Sequence, residues 1–316
     1  MASSVLRYRA DLRTLAFVAF YFFLATVTWL RIDDPWYIVA PLVVLNCLFS
    51  FFCATIVHNT IHCPIFRKKW MNKAFQVVLS FTYGHPVSAY VPGHNFSHHK
   101  HTQSDKDNIR TTKARFRWNL LNQLLFFYLM SFDILKSEMR FVRKMKQEKP
   151  AWYKQYLFES ILLNGVRLGL LLLDWRAFLF VVLIPHQYAA WGIVGTNYWQ
   201  HEGCDENHPY NHSRNFTGKL LNWFAFNNGY HGMHHEKPGM HWSLLPAAHK
   251  TLIEPHIHPN LNRESLTKYL WESCIWPGKR VDYLGNPIVL PPKKKDKDWV
   301  ADLPVRQHAD ALGAIQ

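Results

Sequence analysis

The sequence predicts an all-α integral membrane protein: four transmembrane helices in two hairpins, with a helical cytoplasmic cap. Three observations predict it. Four apolar runs are each long enough to cross, or nearly cross, a hydrocarbon core about 30 Å thick. The runs fall in pairs, each pair joined by a short polar turn. The Lys and Arg residues collect on the segments that lie to one side of those pairs, which the positive-inside rule places in the cytoplasm.

Residues 1–13 carry Arg7, Arg9 and Arg13 and lead into the first apolar run, 14–30. The polar turn 31–35, with Asp33, Asp34 and Pro35, precedes a second run, 36–57, that returns across the membrane and delivers His58 and His62 at its far end. Residues 63–118 are polar and basic, and their one apolar piece, 74–83, is too short to span. The run 119–132 is also too short and reads as a helix lying at the membrane interface, followed by a basic segment, 136–149. A third span covers 156–173, the turn Asp174-Trp175-Arg176 reverses the chain, and a fourth span, 177–198, ends just before His201. Asn164, Arg167, His186 and Gln187 lie at membrane depth, where polar groups face the protein interior or a substrate path. No further span follows. The expected organisation is a membrane domain over 1–275, with cap segments 58–155 and 199–275, and a polar, irregular tail over 276–316.

Composition agrees with a few spans plus a large polar part. Hydrophobic residues make up 49% of the 316, yet the mean hydropathy is only −0.15, which excludes a bundle that is apolar throughout. The net charge is +14, and residues 63–149 alone hold 16 Lys/Arg against 5 Asp/Glu. The charge accompanies no nucleic-acid-binding motif, so no nucleic-acid partner is expected. The five cysteines are scattered without a CxxC pair and read as thiols of a reducing compartment. The first apolar run lacks a small-residue cleavage site and reads as a retained span.

The 19 histidines carry the chemistry. His58 and His62 stand in HNTIH; His94, His98, His99 and His101 stand in HNFSHHKH; Asn197 and His201 stand in NYWQH; His231, His234 and His235 stand in HGMHH. Spacings of three and four put imidazoles on one side of a helix, so short helices can aim several at a common point. On an α-helix His94 and His98 share a face. Nine such histidines suffice for two metal ions. No Glu-x-x-His motif of the soluble carboxylate-bridged bundles occurs, nor the HExxH of zinc proteases. Imidazole alone suits iron, copper, nickel and zinc, so residue type leaves the metal open. A carrier of transition metals would want ligands along its spans; these cluster at the span ends.

Taken together, HxxxH, HxxxHH and HxxHH beside two membrane hairpins resemble the membrane fatty acid desaturase superfamily, which includes acyl desaturases, alkane and acyl hydroxylases and carotenoid oxygenases. NYWQHEG resembles that superfamily's Asn-x-x-x-His element, and HHEKPGMHWSLLP its HHxxP..W..LP context; the likeness runs over about residues 14–245. The resemblance implies a centre of two iron ions with O2 as co-substrate. Its ligands would be His58, His62, His94, His98, His99, His201, His231, His234 and His235. Asn197 would stand behind these ligands or contact one iron through a water, and His101 would not be a ligand. It further implies oxidation of an unactivated C–H bond in a fatty acyl chain. Desaturation is the expectation; hydroxylation, or oxidative decarboxylation to a terminal alkene, is the alternative from the same scaffold. With no electron-carrier motif in the chain, a separate donor of ferredoxin, rubredoxin or cytochrome b5 type is expected. A membrane protein that merely binds a transition metal is the non-enzymatic alternative.

Overall fold

The computed structural model describes residues 5–303 and is mostly helical. Four helices are long and apolar enough to cross a membrane: α1 (Asp11–Leu30), α2 (Trp36–His62), α6 (Pro150–Leu173) and α7 (Trp175–His201). Between them lie α3 (Lys69–Tyr83), α4 (Val87–Val91), a π-helical segment over Pro92–His99 and α5 (Asn119–Glu148). Four short helices follow, α8 (Lys219–Phe224), α9 (His231–Glu236), α10 (Leu245–Leu252) and α11 (Leu266–Leu270), and the only paired strands among the described residues are a two-residue parallel ladder, Asn215–Phe216 with Asn262–Arg263.

The spanning helices overrun the expected spans at the ends that carry histidine, because nothing breaks the helix there. α2 runs on through His62, and α7 through His201. Proline and aspartate set the starts. Pro150 stands in the first turn of α6, where its missing N–H costs nothing. Asp174 caps α7, its carboxylate accepting the backbone N–H of Arg176 at 2.8 Å and of Ala177 at 3.1 Å.

The expected interface helix and the basic segment after it prove to be one 30-residue helix, α5. The reason is a buried stripe that never loses phase: Asn122, Phe126, Met130, Ser137, Phe141 and Met145 recur at helical spacing. The opposite stripe, Leu124, Tyr128, Phe132, Leu135 and Met139, is exposed although apolar. Residues 276–303 contain no helix or strand beyond an isolated bridge, yet they are packed rather than loose, with Trp299 only 1% exposed.

The chain divides into two compact units. Of the described residues, one unit holds 5–92, 138–193 and 303; the other holds 93–137 and 194–302. In the first, α1 packs on α2 through Phe20 and Phe49, with ring centres 4.7 Å apart. The buried Asn46 amide donates to the Thr28 hydroxyl at 2.6 Å. Of the four polar residues expected to face the interior at membrane depth, His186 and Arg167 are tied into the protein, whereas Asn164 and Gln187 are exposed. His186 Nε2 lies 3.1 Å from the Tyr21 hydroxyl and 3.0 Å from the Phe81 carbonyl, and Arg167 donates to the Gly84 carbonyl at 3.1 Å. Glu159 receives the Ser88 N–H at 2.9 Å, pinning the start of α4 to α6.

Candidate metal centre

In the second unit, seven of the nine expected histidines come from three elements: the π-helical segment, the end of α7 and α9. They sort into two groups. His98, His201, His231 and His235 bring one ring nitrogen each to within 4.8 Å of one another, and so do His94, His99 and His234. The π-helix decides this division. Its hydrogen bonds step five residues rather than four, which widens each turn, so His94 meets His99, Nε2 to Nε2 at 3.0 Å. The α-helical pairing of His94 with His98 is thereby corrected, and His98 turns to the other group. The short helix α9 makes a parallel division: His231 and His235, four apart, join His98, while His234 lies 3.0 Å from His99.

The spacing of the nitrogens fits metal ions. His201 and His231 approach Nε2 to Nε2 at 2.9 Å, and His231 and His235 at 3.1 Å. An imidazole nitrogen binds a transition metal at about 2.1 Å, so two at a right angle around one ion stand about 3.0 Å apart. Two of the nitrogens that face outward are occupied. His98 Nδ1 is 3.0 Å from the Asp107 carboxylate, and His201 Nδ1 is 3.1 Å from the His212 carbonyl. His98 Nε2, in contrast, is buried and has no hydrogen-bond partner. Such an orphan is costly in an apolar interior unless something binds it, and a metal ion would. Burial pushes the His235 imidazole well below its usual pKa, reinforced by the neighbouring rings of His99, His231, His201 and His98. It is held neutral, as a ligand must be.

The supports are local. α9 is placed by a buried asparagine: the Asn222 amide donates to the Phe216 carbonyl at 2.7 Å and accepts the Gly229 N–H at 3.1 Å. The Phe216 carbonyl passes so close to Gly229 that no Cβ would fit there. Gly232 at the start of α9 donates to the Asn215 side chain at 2.8 Å.

Asp107 is fully buried, and sequence reasoning missed it. Burial alone would raise its pKa, but His98 and the N–H groups of Gln103 and Ile109 outweigh that and hold it below the usual carboxylate range. The available signal was its isolation, since Asp105 and Asp107 are the only acids between residues 63 and 118. Asn197 donates to the Ile109 carbonyl at 2.8 Å, two residues from Asp107. His101 lies outside both groups. His58 and His62 belong to the other unit, at the end of α2, with ring centres 5.6 Å apart.

Compared with known families, residues 34–260 match the model for the fatty acid desaturase family. No curated protein matches the chain.

Proposed function

Because the chain belongs to the fatty acid desaturase family, we propose that it is a di-iron enzyme that uses O2 to introduce a double bond into a fatty acyl chain. Family and fold together make it an integral membrane oxidoreductase of the desaturase/hydroxylase type, with a lipid substrate. The observation that carries the finer reading is the sorting of seven imidazoles into two groups, six of them with a ring nitrogen about 3 Å from a neighbour's.

His98, His201, His231 and His235 would hold one iron, and His94, His99 and His234 would serve the other. His58 and His62, by their HxxxH spacing, complete the set of nine. Asn197, bonded to the Ile109 carbonyl, would stand behind the ligands or contact one iron through a water. Two irons held there would supply, once reduced, the means to use O2 against an unactivated C–H bond. The chain's own residues supply neutral Nε2 ligands whose rotation is fixed from behind by Asp107 and the His212 carbonyl. In balance, the acyl chain gives up two hydrogens, O2 takes them with two electrons and two protons, and two waters leave. The electrons come from a separate carrier of ferredoxin, rubredoxin or cytochrome b5 type. By the positive-inside rule the histidines and both termini face the cytoplasm.

Expression in a host, with mass spectrometry of its membrane lipids and released hydrocarbons, tests the reading. A product lighter by two hydrogens is the expected result. One added oxygen atom would indicate hydroxylation, and lost CO2 with a terminal alkene would indicate decarboxylation. Bound metal with unchanged lipids would favour a metal-binding protein without this activity. His98→Ala, His201→Ala and His234→Ala should each abolish product and lower bound iron. Full activity at unchanged iron content in all three sinks the di-iron assignment.

A further inference from the structure

We propose that the C-terminal segment 279–302 is a strap that positions His98, acting through the loop 103–115 and its carboxylate Asp107. This rests on the metal-site reading above and goes beyond it, because the segment carries no ligand.

The argument begins at Asp107. One carboxylate oxygen faces His98 Nδ1 at 3.0 Å and accepts the Gln103 N–H at 2.9 Å; the other accepts the Ile109 N–H at 2.9 Å. A carboxylate held this way fixes the rotation of the ring and keeps the hydrogen on Nδ1, which leaves the Nε2 lone pair for a metal. Its own position depends on the loop. Yet residues 103–115 contain only one short turn of helix, Thr111–Lys113, so secondary structure gives that loop little stiffness.

The strap supplies the stiffness. Asp296 pairs with both Arg110 and Lys113, and Lys113 reaches Asp133 at 2.7 Å. The Lys297 backbone N–H donates to the Asp105 carbonyl at 2.8 Å, and its ammonium pairs with the Asp105 carboxylate. Arg110 donates to the Lys294 carbonyl at 2.9 Å, and Lys106 pairs with Asp302. From the other end of the strap, Arg280 donates to the Ala114 carbonyl at 2.7 Å and pairs with Glu202, the residue after His201. Trp299 and Val300, both buried, anchor the segment. A single exposed ion pair stabilises little, but a connected network of partly buried pairs restrains geometry. Here the network closes on both sides of Asp107, at residues 105, 106, 110 and 113.

The test uses the purified full-length protein, loaded with ferrous iron without oxygen, and times iron release to a colorimetric chelator. Hydrogen exchange over 103–111 is measured in parallel. Altering a group that orients a metal ligand lowers affinity by about 10–100-fold. Asp107→Asn should therefore release iron about tenfold faster or more. Asp296→Ala should release it several-fold faster, with faster exchange in the loop. The double variant should match Asp107→Asn alone, because the strap acts through that carboxylate. Glu272→Ala, which breaks the pair with Arg263 elsewhere in the same unit, should match the unaltered protein. Wild-type release from Asp296→Ala, full additivity in the double variant, or equal acceleration by Glu272→Ala overturns the strap and leaves the metal site standing. An unaltered protein that takes up no iron overturns the metal site, and the strap with it.

Discussion

Gly84 shows how one residue can be required by a neighbour far away in the chain. It ends α3 in the left-handed conformation, with φ of 79°, and its N–H closes on the Ser80 carbonyl at 3.0 Å. A Cβ at this position would overlap the ring of His186, which is itself held by Tyr21 and the Phe81 carbonyl. Gly84→Ala therefore combines backbone strain with displacement of a buried polar network, at a cost of about 2–4 kcal/mol. Thermal unfolding of the purified protein should show a marked fall in midpoint, while Gly239→Ala, which meets open space, should leave it nearly unchanged. The end of the apolar piece just before this glycine was visible in the sequence. The glycine's partner was not, because 102 residues separate the two and only the packed fold brings them together. Asp107 was illegible for the opposite reason. It is close to His98 in sequence but joined to it by a loop whose path no periodicity reveals.

Among elements, the spans and the histidine-bearing helix ends were legible because hydropathy and spacing act within one helix. The π-helical segment was not. Its sequence, PGHNFSHH, is compatible with α-helical spacing, and only the wider repeat sends His98 to a different group from His94 and His99. α5 was half legible: its apolar first half was seen, while its continuation through a charged second half depended on a buried stripe three turns longer. The exposed stripe of α5, with Tyr128 61% and Phe132 72% exposed, is too apolar to face water along a whole helix. In an integral membrane protein it belongs against the acyl and headgroup boundary, with the exposed Lys136 and Arg143 reaching toward headgroups. A fluorescent label at a cysteine replacing Tyr128 or Phe132 should be quenched strongly by lipids carrying a quencher on the upper acyl chain. A label at Gln147, on the polar end of the same helix, should be quenched several-fold less. Equal quenching at all three positions would remove α5 from the interface.

At the scale of the whole molecule, the net charge of +14 was plain in the sequence, but what it is for depends on where it is spent. Part of the basic loop turns inward: Lys106, Arg110 and Lys113 pair with Asp302, Asp296 and Asp133. These charges hold structure and are not free to recruit a partner. Lys100, immediately after His99, is exposed, as are Arg117, Lys237 and the run Lys293, Lys294 and Lys295. A small acidic electron carrier would be drawn to such a surface, because opposite net charges raise the encounter rate and mobile salt screens that attraction over about 10 Å at 0.1 M. Reduction of the iron-loaded protein by an acidic one-electron carrier should therefore slow by about tenfold between low and roughly 0.3 M salt. Reduction by a small uncharged quinol should change little, which separates steering from any effect of salt on the metal site. Replacing Lys293 and Lys295 together by Gln should flatten the salt dependence while leaving iron content unchanged, because neither residue reaches a histidine group. A reduction rate that ignores salt, or that the double replacement leaves as steep as before, would mean that the exposed charge serves the membrane surface and not the electron carrier.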